Sequence, residues 1–205
     1  MIYFPGGSPG RQKSIHEYHV KGQVEWLVKS NRVVVFPIYK GWFERSLPPP
    51  EEGNYFDWRD RTIMEFQDLS RTIDYLETKP EMFDTDKIGF YGISTGGFYA
   101  SIAPAIEDRI RATMIMSCGL IPDFDFSNQF NFCPRVKVPV LMIFGRYDTR
   151  IPFETQIKPL HALLGTPDED KHLKLYETGH GIWFDYRWKK DILDFLDRYF
   201  GPTRQ

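Results

Sequence analysis

Short runs of β-branched and aromatic residues alternate along this chain with longer stretches whose apolar positions recur every three or four residues. Ile2–Phe4 reads as a strand running into Pro5-Gly6-Gly7. Ile15 to Lys29 reads as a helix with Val24, Leu27 and Val28 on one face. Val33-Val34-Val35-Phe36 is a continuous apolar run, as expected of a strand buried on both faces. Arg61 to Glu77 carries Ile63, Phe66, Leu69, Ile73 and Leu76 at helical spacing. Further strands are predicted at Lys87–Tyr91, Arg111–Ser117, Val138–Phe144 and His172–Tyr176. Helices are predicted from near Thr95, over Phe153–Leu164, and over Trp188–Tyr199, where Ile192, Phe195, Leu196 and Tyr199 form one stripe. Two long connections stand out: Lys40 to Asn54, with consecutive prolines Pro48 to Pro50, and the aromatic-rich Gly119 to Pro134. Strands alternating with helices predict an α/β architecture, a mainly parallel sheet covered by helices on both faces. No repeat, low-complexity tract or linker divides the chain, so residues 1–205 are expected to form a single domain.

Composition narrows the function classes. The apolar fraction is 41%, the charged fraction 26% and the net charge −2, so no basic footprint points to nucleic acid or an anionic membrane. No apolar run approaches a membrane span, and no leader pattern opens the chain. The two cysteines, Cys118 and Cys133, have neither metal-type spacing nor a disulfide framework, so both are expected to be reduced thiols in a cytoplasmic protein.

The chemistry concentrates at Gly92-Ile93-Ser94-Thr95-Gly96-Gly97. A G-x-S-x-G pentapeptide alone is weak, and a glycine-rich helix start that merely packs or binds phosphate would look similar. Here it leaves a predicted strand and opens a helix rich in small residues. A turn that tight forces the serine into a strained conformation and leaves no room for side chains at the flanking positions. Ser94 would then project above the sheet at a helix N-terminus, where free N–H groups favour developing negative charge.

A serine hydroxyl needs a base. After an elbow of this kind the chain supplies an acid and then a histidine. Of the five histidines, His16 and His19 precede Ser94, His161 lies within a helix and His172 begins a strand. His180, in Glu177-Thr178-Gly179-His180-Gly181, follows the last strand between two glycines. Asp148, in Gly145-Arg146-Tyr147-Asp148, lies beyond the carboxyl end of a strand, where sites in open α/β sheets form. Its bland alternatives are a turn cap or a partner for Arg146 or Arg150; Asp123 and Asp125 are fallback acids. The oxyanion of acyl transfer needs two N–H donors, expected from the backbone of Thr95 and of Gly7, with Gly6 next, in the turn Pro5-Gly6-Gly7-Ser8.

No large lid fits between these residues, so the cleft is expected to be open. It would be bordered by the Lys40–Trp58 and Gly119–Cys133 connections. Tyr39, Lys40 and Trp42 follow a strand end beside the oxyanion turn and are expected substrate contacts. The rings of Phe124, Phe126, Phe130 and Phe132 face either the site or the core. Such a cleft favours small or aryl acyl esters.

These residues resemble the α/β-hydrolase superfamily, in the branch of dienelactone hydrolases and prolyl-oligopeptidase-like esterases. They are closer still to the hydrolase domain found in bacterial protein-kinase multidomain proteins. The stretches that carry the resemblance are Tyr3–Gly6, Phe36–Gly41, Leu69–Leu76, the elbow around Ser94, Gly145–Asp148, Leu163–Pro167 and Thr178–His180. It implies the Ser94, Asp148 and His180 triad, the oxyanion turn, and the α/β-hydrolase fold without its first two strands, which leaves Val33 on an exposed edge. Thr95 stands where relatives often place a tryptophan. The expected function is a serine hydrolase cleaving small-molecule carboxylic esters through an acyl-enzyme, with no cofactor and no metal. The alternatives are a prolyl-oligopeptidase-like peptidase and a non-catalytic module of a larger protein. A homo-oligomer stays open.

Overall fold

The computed structural model describes residues 1–7, 12–48, 55–121, 129–182 and 185–203. Five strands, β1 (Ile2–Phe4), β2 (Ile88–Ile93), β3 (Ile110–Met116), β4 (Val140–Gly145) and β5 (Lys171–Tyr176), pair in that order. Every pairing is parallel. Successive strand residues point to opposite faces, and the chain uses both. Ile2, Phe4, Phe90, Ile115, Val140, Met142 and Phe144 pack with helices α2 (Tyr55–Glu77), α3 (Thr95–Ile102), α4 (Gln129–Phe132) and α5 (Lys158–Leu163). Tyr3, Tyr91, Met114, Met116, Leu141 and Ile143 pack with α1 (Glu25–Lys29) and α6 (Arg187–Phe200). Burial on both faces explains why β2 and β4 read as near-continuous apolar runs. This is the α/β-hydrolase architecture.

Three expectations need correction. The helix expected over Ile15–Lys29 is a single 3-10 turn at Glu17–His19 followed by α1, and Gly22 between them takes φ +78°, which ends helical propagation. The Val33–Phe36 run is strand-like only at Val35, which bridges Ile2 in parallel. There the Tyr3 N–H donates to the Val35 carbonyl and the Val35 N–H to that of Met1, while Val33 is 51% exposed. Phe153–Leu164 opens as a wide π-type turn at Phe153–Ile157 before α5, because Pro159 near the junction has no N–H to give to an α-helical ladder.

The Val35 bridge lies on the edge of β1 opposite β2. The chain therefore leaves β1 outward, then crosses back to build β2 on the other side. The carboxyl ends of β1 and β2 flank this reversal, and a crevice opens there.

Candidate active site

Ser94 sits at the exit of β2 with φ +53° and ψ −110°, a conformation a non-glycine residue holds only at a cost of about 1–3 kcal/mol. Backbone contacts hold it there. Its N–H donates to the Met116 carbonyl of β3 at 2.8 Å, and the Gly96 N–H donates to the Pro5 carbonyl at 3.1 Å. The flanking glycines are a packing requirement. A Cβ on Gly92 would lie 1.9 Å from the Gly96 carbonyl oxygen, and one on Gly96 would lie 2.0 Å from that of Phe4. β2, α3 and β1 thus meet backbone to backbone. The Pro5-Gly6-Gly7 turn is brought over the serine: a Cβ on Gly6 would touch the Ser94 Cβ at 3.6 Å, and one on Gly7 would crowd the Thr95 hydroxyl at 2.9 Å. Ser8 lies outside the described residues.

Asp148 follows β4, and its carboxylate is fully buried. Its Oδ1 accepts the backbone N–H groups of Arg150 and Ile151 at 2.9 and 3.0 Å. Its Oδ2 is 2.7 Å from His180 Nδ1. The turn-cap and imidazole-partner readings of Asp148 therefore hold together, one on each oxygen. Arg146 pairs with Glu177 at 2.7 Å, and Arg150 meets the aspartate through its backbone. His180 Nε2 lies 3.4 Å from Ser94 Oγ, a little long for a hydrogen bond, as is usual before substrate binds. The His180 loop is stitched to its neighbours: Ser117 Oγ donates to the His180 carbonyl at 3.1 Å, and the Tyr147 N–H to that of Thr178 at 2.9 Å. Gly145 permits this, since a Cβ there would lie 2.1 Å from the Gly179 carbonyl oxygen.

A cavity of about 250 Å³ opens beside Ser94, lined by Trp58 and Thr62 of α2, by Thr95, Phe98 and Tyr99 of α3, and by Ser117, Cys118, Ile121 and Ile151. Its walls are mostly apolar, and Ser94 is part of the lining. The Cys118 thiol is buried and free, and burial pushes its pKa up, so it is no competing nucleophile. A second cavity, of about 320 Å³, lies at the amino ends of β1 and β2 between Met1, Arg32, Phe83 and Phe200, the far end of the sheet from Ser94.

The expected contacts Tyr39, Lys40 and Trp42 are not among the described residues lining the Ser94 cavity. Tyr39 is buried and stacked on Phe4 at 4.2 Å between ring centroids. Trp42 packs edge-on to the same ring at 5.2 Å. The Lys40 N–H donates to Asp68 at 2.7 Å. Gly41, at φ +92°, turns this segment back onto the core, so residues that follow a strand end point inward. Phe130 is 47% exposed, Phe132 packs against the core, and Asp123, Phe124, Asp125 and Phe126 lie outside the described residues.

One group had no sequence signal. Glu65 of α2 is buried behind the cavity wall, where its carboxylate accepts the Tyr99 hydroxyl and the Trp42 indole N–H. Burial pushes its pKa up to about 7, against the opposing pull of those two donors. Among the described residues no cluster of three or more His, Cys, Asp or Glu side chains is arranged to hold a metal ion, and no helix is long and apolar enough to cross a membrane.

The model of the phospholipase/carboxylesterase family matches residues 54–199. The fold is similar to that of an esterase from Pyrococcus furiosus, with a TM-score of 0.74 at 19% identity over 98% of this chain and 82% of that one. A cold-adapted esterase from an Arctic intertidal metagenomic library is similar at a TM-score of 0.71 and 18% identity, covering 97% of this chain and 82% of its own. Acetyl xylan esterase 1 from a Thermoanaerobacterium species gives 0.70 and 16%, covering 97% and 74%.

Proposed function

The chain belongs to the phospholipase/carboxylesterase family and is a carboxylesterase-like hydrolase, and we propose that Ser94, His180 and Asp148 are its catalytic triad. The observation that carries this reading is the relay itself. A strained serine, an imidazole 3.4 Å away and a buried carboxylate 2.7 Å beyond it converge from three separate loops. In the mechanism Ser94 Oγ attacks the ester carbonyl while its proton passes to His180 Nε2. Asp148 holds the Nδ1–H tautomer and stabilises the imidazolium. The carbonyl oxygen takes up negative charge against the backbone N–H groups of Thr95 and Gly7. When the carbon–oxygen bond to the alcohol breaks, His180 returns the proton to the leaving oxygen. Water, deprotonated by His180, then attacks the acyl-Ser94 ester, and His180 returns that proton to Ser94 Oγ as the carbon–Oγ bond breaks and the acid leaves.

The test is reaction of the purified protein with a fluorophosphonate probe, with the adduct located by mass spectrometry. Labelling at Ser94 that is lost in Ser94→Ala and in His180→Ala is the expected result. A well-folded protein that takes no label would overturn the triad reading in favour of a non-catalytic module.

A further inference from the structure

The cavity beside Ser94 shares a wall with a larger apolar groove, of about 740 Å³. Both lie in the seam between α2 and α3. On α3, Phe98 faces the cavity and Ile102, one turn later, faces the groove. On α2, Trp58 faces the cavity, Ile63 and Phe66 face the groove, and Thr62 lines both. Ile106 and Phe132 also line the groove, and charged residues are confined to Arg59, Arg71 and Asp74 among the described lining. Ile63 and Ile106 remain 46% and 41% exposed, a poor outcome for a surface with no occupant.

We propose that cavity and groove form one continuous site for the hydrocarbon chain of the ester, with Thr62 at the junction setting how long a chain is accepted. The proposal rests on Ser94 as the nucleophile, because continuity with the Ser94 cavity is what identifies the occupant. The dimensions fix its length. Ile102 is eight positions beyond Ser94 along α3, so at about 1.5 Å of rise each this groove residue lies roughly 12 Å along the helix from the serine. Carbon–carbon bonds of about 1.5 Å in a tetrahedral zigzag advance roughly 1.25 Å per carbon. A chain of about eight to ten carbons therefore spans the cavity and enters the groove, whereas an acetyl or butyryl group stays within the cavity. Burial of each further methylene is worth roughly a two- to fourfold gain in kcat/KM. This proposal replaces the expectation that small or aryl esters are favoured with a preference for medium-length acyl chains.

The experiment compares p-nitrophenyl acetate, butyrate, octanoate and decanoate on the native protein, Ile106→Asp and Thr62→Phe, and titrates sodium decanoate into Ser94→Ala by calorimetry. The native kcat/KM should rise from acetate to decanoate. Ile106→Asp, at an exposed position, should cut decanoate about tenfold and leave acetate within twofold. Thr62→Phe, which also narrows the Ser94 cavity, should cut octanoate and decanoate about tenfold more than it cuts acetate. Decanoate should bind Ser94→Ala and bind tenfold more weakly when Ile106→Asp is added. A profile that falls from acetate onward and ignores both substitutions overturns the groove proposal while leaving the triad reading intact. Absence of ester hydrolysis together with decanoate binding overturns the triad reading alone. Absence of decanoate binding, with a dimer that Ile106→Asp dissociates, would make the groove a self-association face instead.

Discussion

Replacing Glu65 with glutamine removes a buried negative charge and changes almost nothing in shape. The carboxylate lies between α2, α3 and the turn at Phe43–Arg45, 6% exposed, and receives the Tyr99 and Trp42 donors. Asp68 adds like-charge repulsion, Arg61 opposes it, and the Tyr39 hydroxyl nearby is buried without a partner among the described residues. Desolvation dominates and raises the pKa from 4.5 to about 7. The folded state therefore binds more protons than the unfolded state between those values, and stability falls as pH rises through that window. At about 1.36 kcal/mol per pH unit, the whole change amounts to about 3 kcal/mol. It is fully present below 4.5 and fully lost above 7. The amide of Glu65→Gln cannot ionise, so the variant escapes the loss, and groups common to both proteins cancel in the comparison. Urea unfolding followed by tryptophan fluorescence at pH 5 and pH 8 measures it. Relative to the native protein, the variant should gain about 2–3 kcal/mol on going from pH 5 to pH 8, a factor of about a hundred in the unfolding equilibrium. A difference between the two proteins that stays constant within about 0.5 kcal/mol would refute the claim that burial, rather than its two donors, governs Glu65.

Asp148→Asn should fold normally, because the amide oxygen can still accept from Arg150 and Ile151, but its NH₂ then faces His180 Nδ1 and forces the unproductive tautomer. Turnover of p-nitrophenyl acetate should fall roughly 10³–10⁴-fold with little change in melting temperature. Gly92→Ala puts a methyl 1.9 Å from the Gly96 carbonyl oxygen, so β2 and α3 must separate; fluorophosphonate labelling should vanish and thermal stability should drop by several degrees or more, as read by circular dichroism. Arg109 ties the buried Glu107 to Asp74 and Glu77 of α2. Arg109→Met should cost about 2–3 kcal/mol in urea unfolding, by stranding the Glu107 carboxylate, and should leave KM unchanged.

The sheet was legible in the sequence because parallel strands buried on both faces are written as near-continuous apolar runs, as β2 and β4 are, and β3 departs from that only at Arg111 and Thr113. The region of Ser94 was legible because its geometry admits few residue types: glycine at 92 and 96 is demanded by backbone contact. Where the structure departs from the reading, a single residue decides against a periodic pattern. Gly22 breaks a helix that Val24, Leu27 and Val28 support, and Gly41 turns Tyr39 and Trp42 inward from a position that resembles a cleft rim. The cavity walls gave no signal at all. Phe66 and Ile102 pack in the core and also face an opening, and burial and cavity lining call for the same apolar side chains. Glu65 was hidden for a related reason: on a helix with Arg61 and Asp68 around it, one more acidic residue reads as part of a solvated face.

The relay from Ser94 to Asp148 is positioned by main chain more than by side chains, and this decides which changes it tolerates. Ser94 is fixed by the Met116 carbonyl, its helix start by that of Pro5, and the aspartate and histidine loops by the bonds from Arg146 to Tyr176 and from Tyr147 to Thr178. Each bond joins the carboxyl ends of neighbouring strands, so the register of the sheet sets the separation of the loops. The exposed pair of Arg146 with Glu177 lies over the same loops, yet an exposed ion pair contributes only about 0–1 kcal/mol and adds no constraint that the backbone has not already imposed. The sheet thus supplies a rigid frame for three functional groups. Under the proposed acyl site, substitutions in the α2–α3 seam, built from side chains on helices, would alter which acyl group is accepted without disturbing that frame.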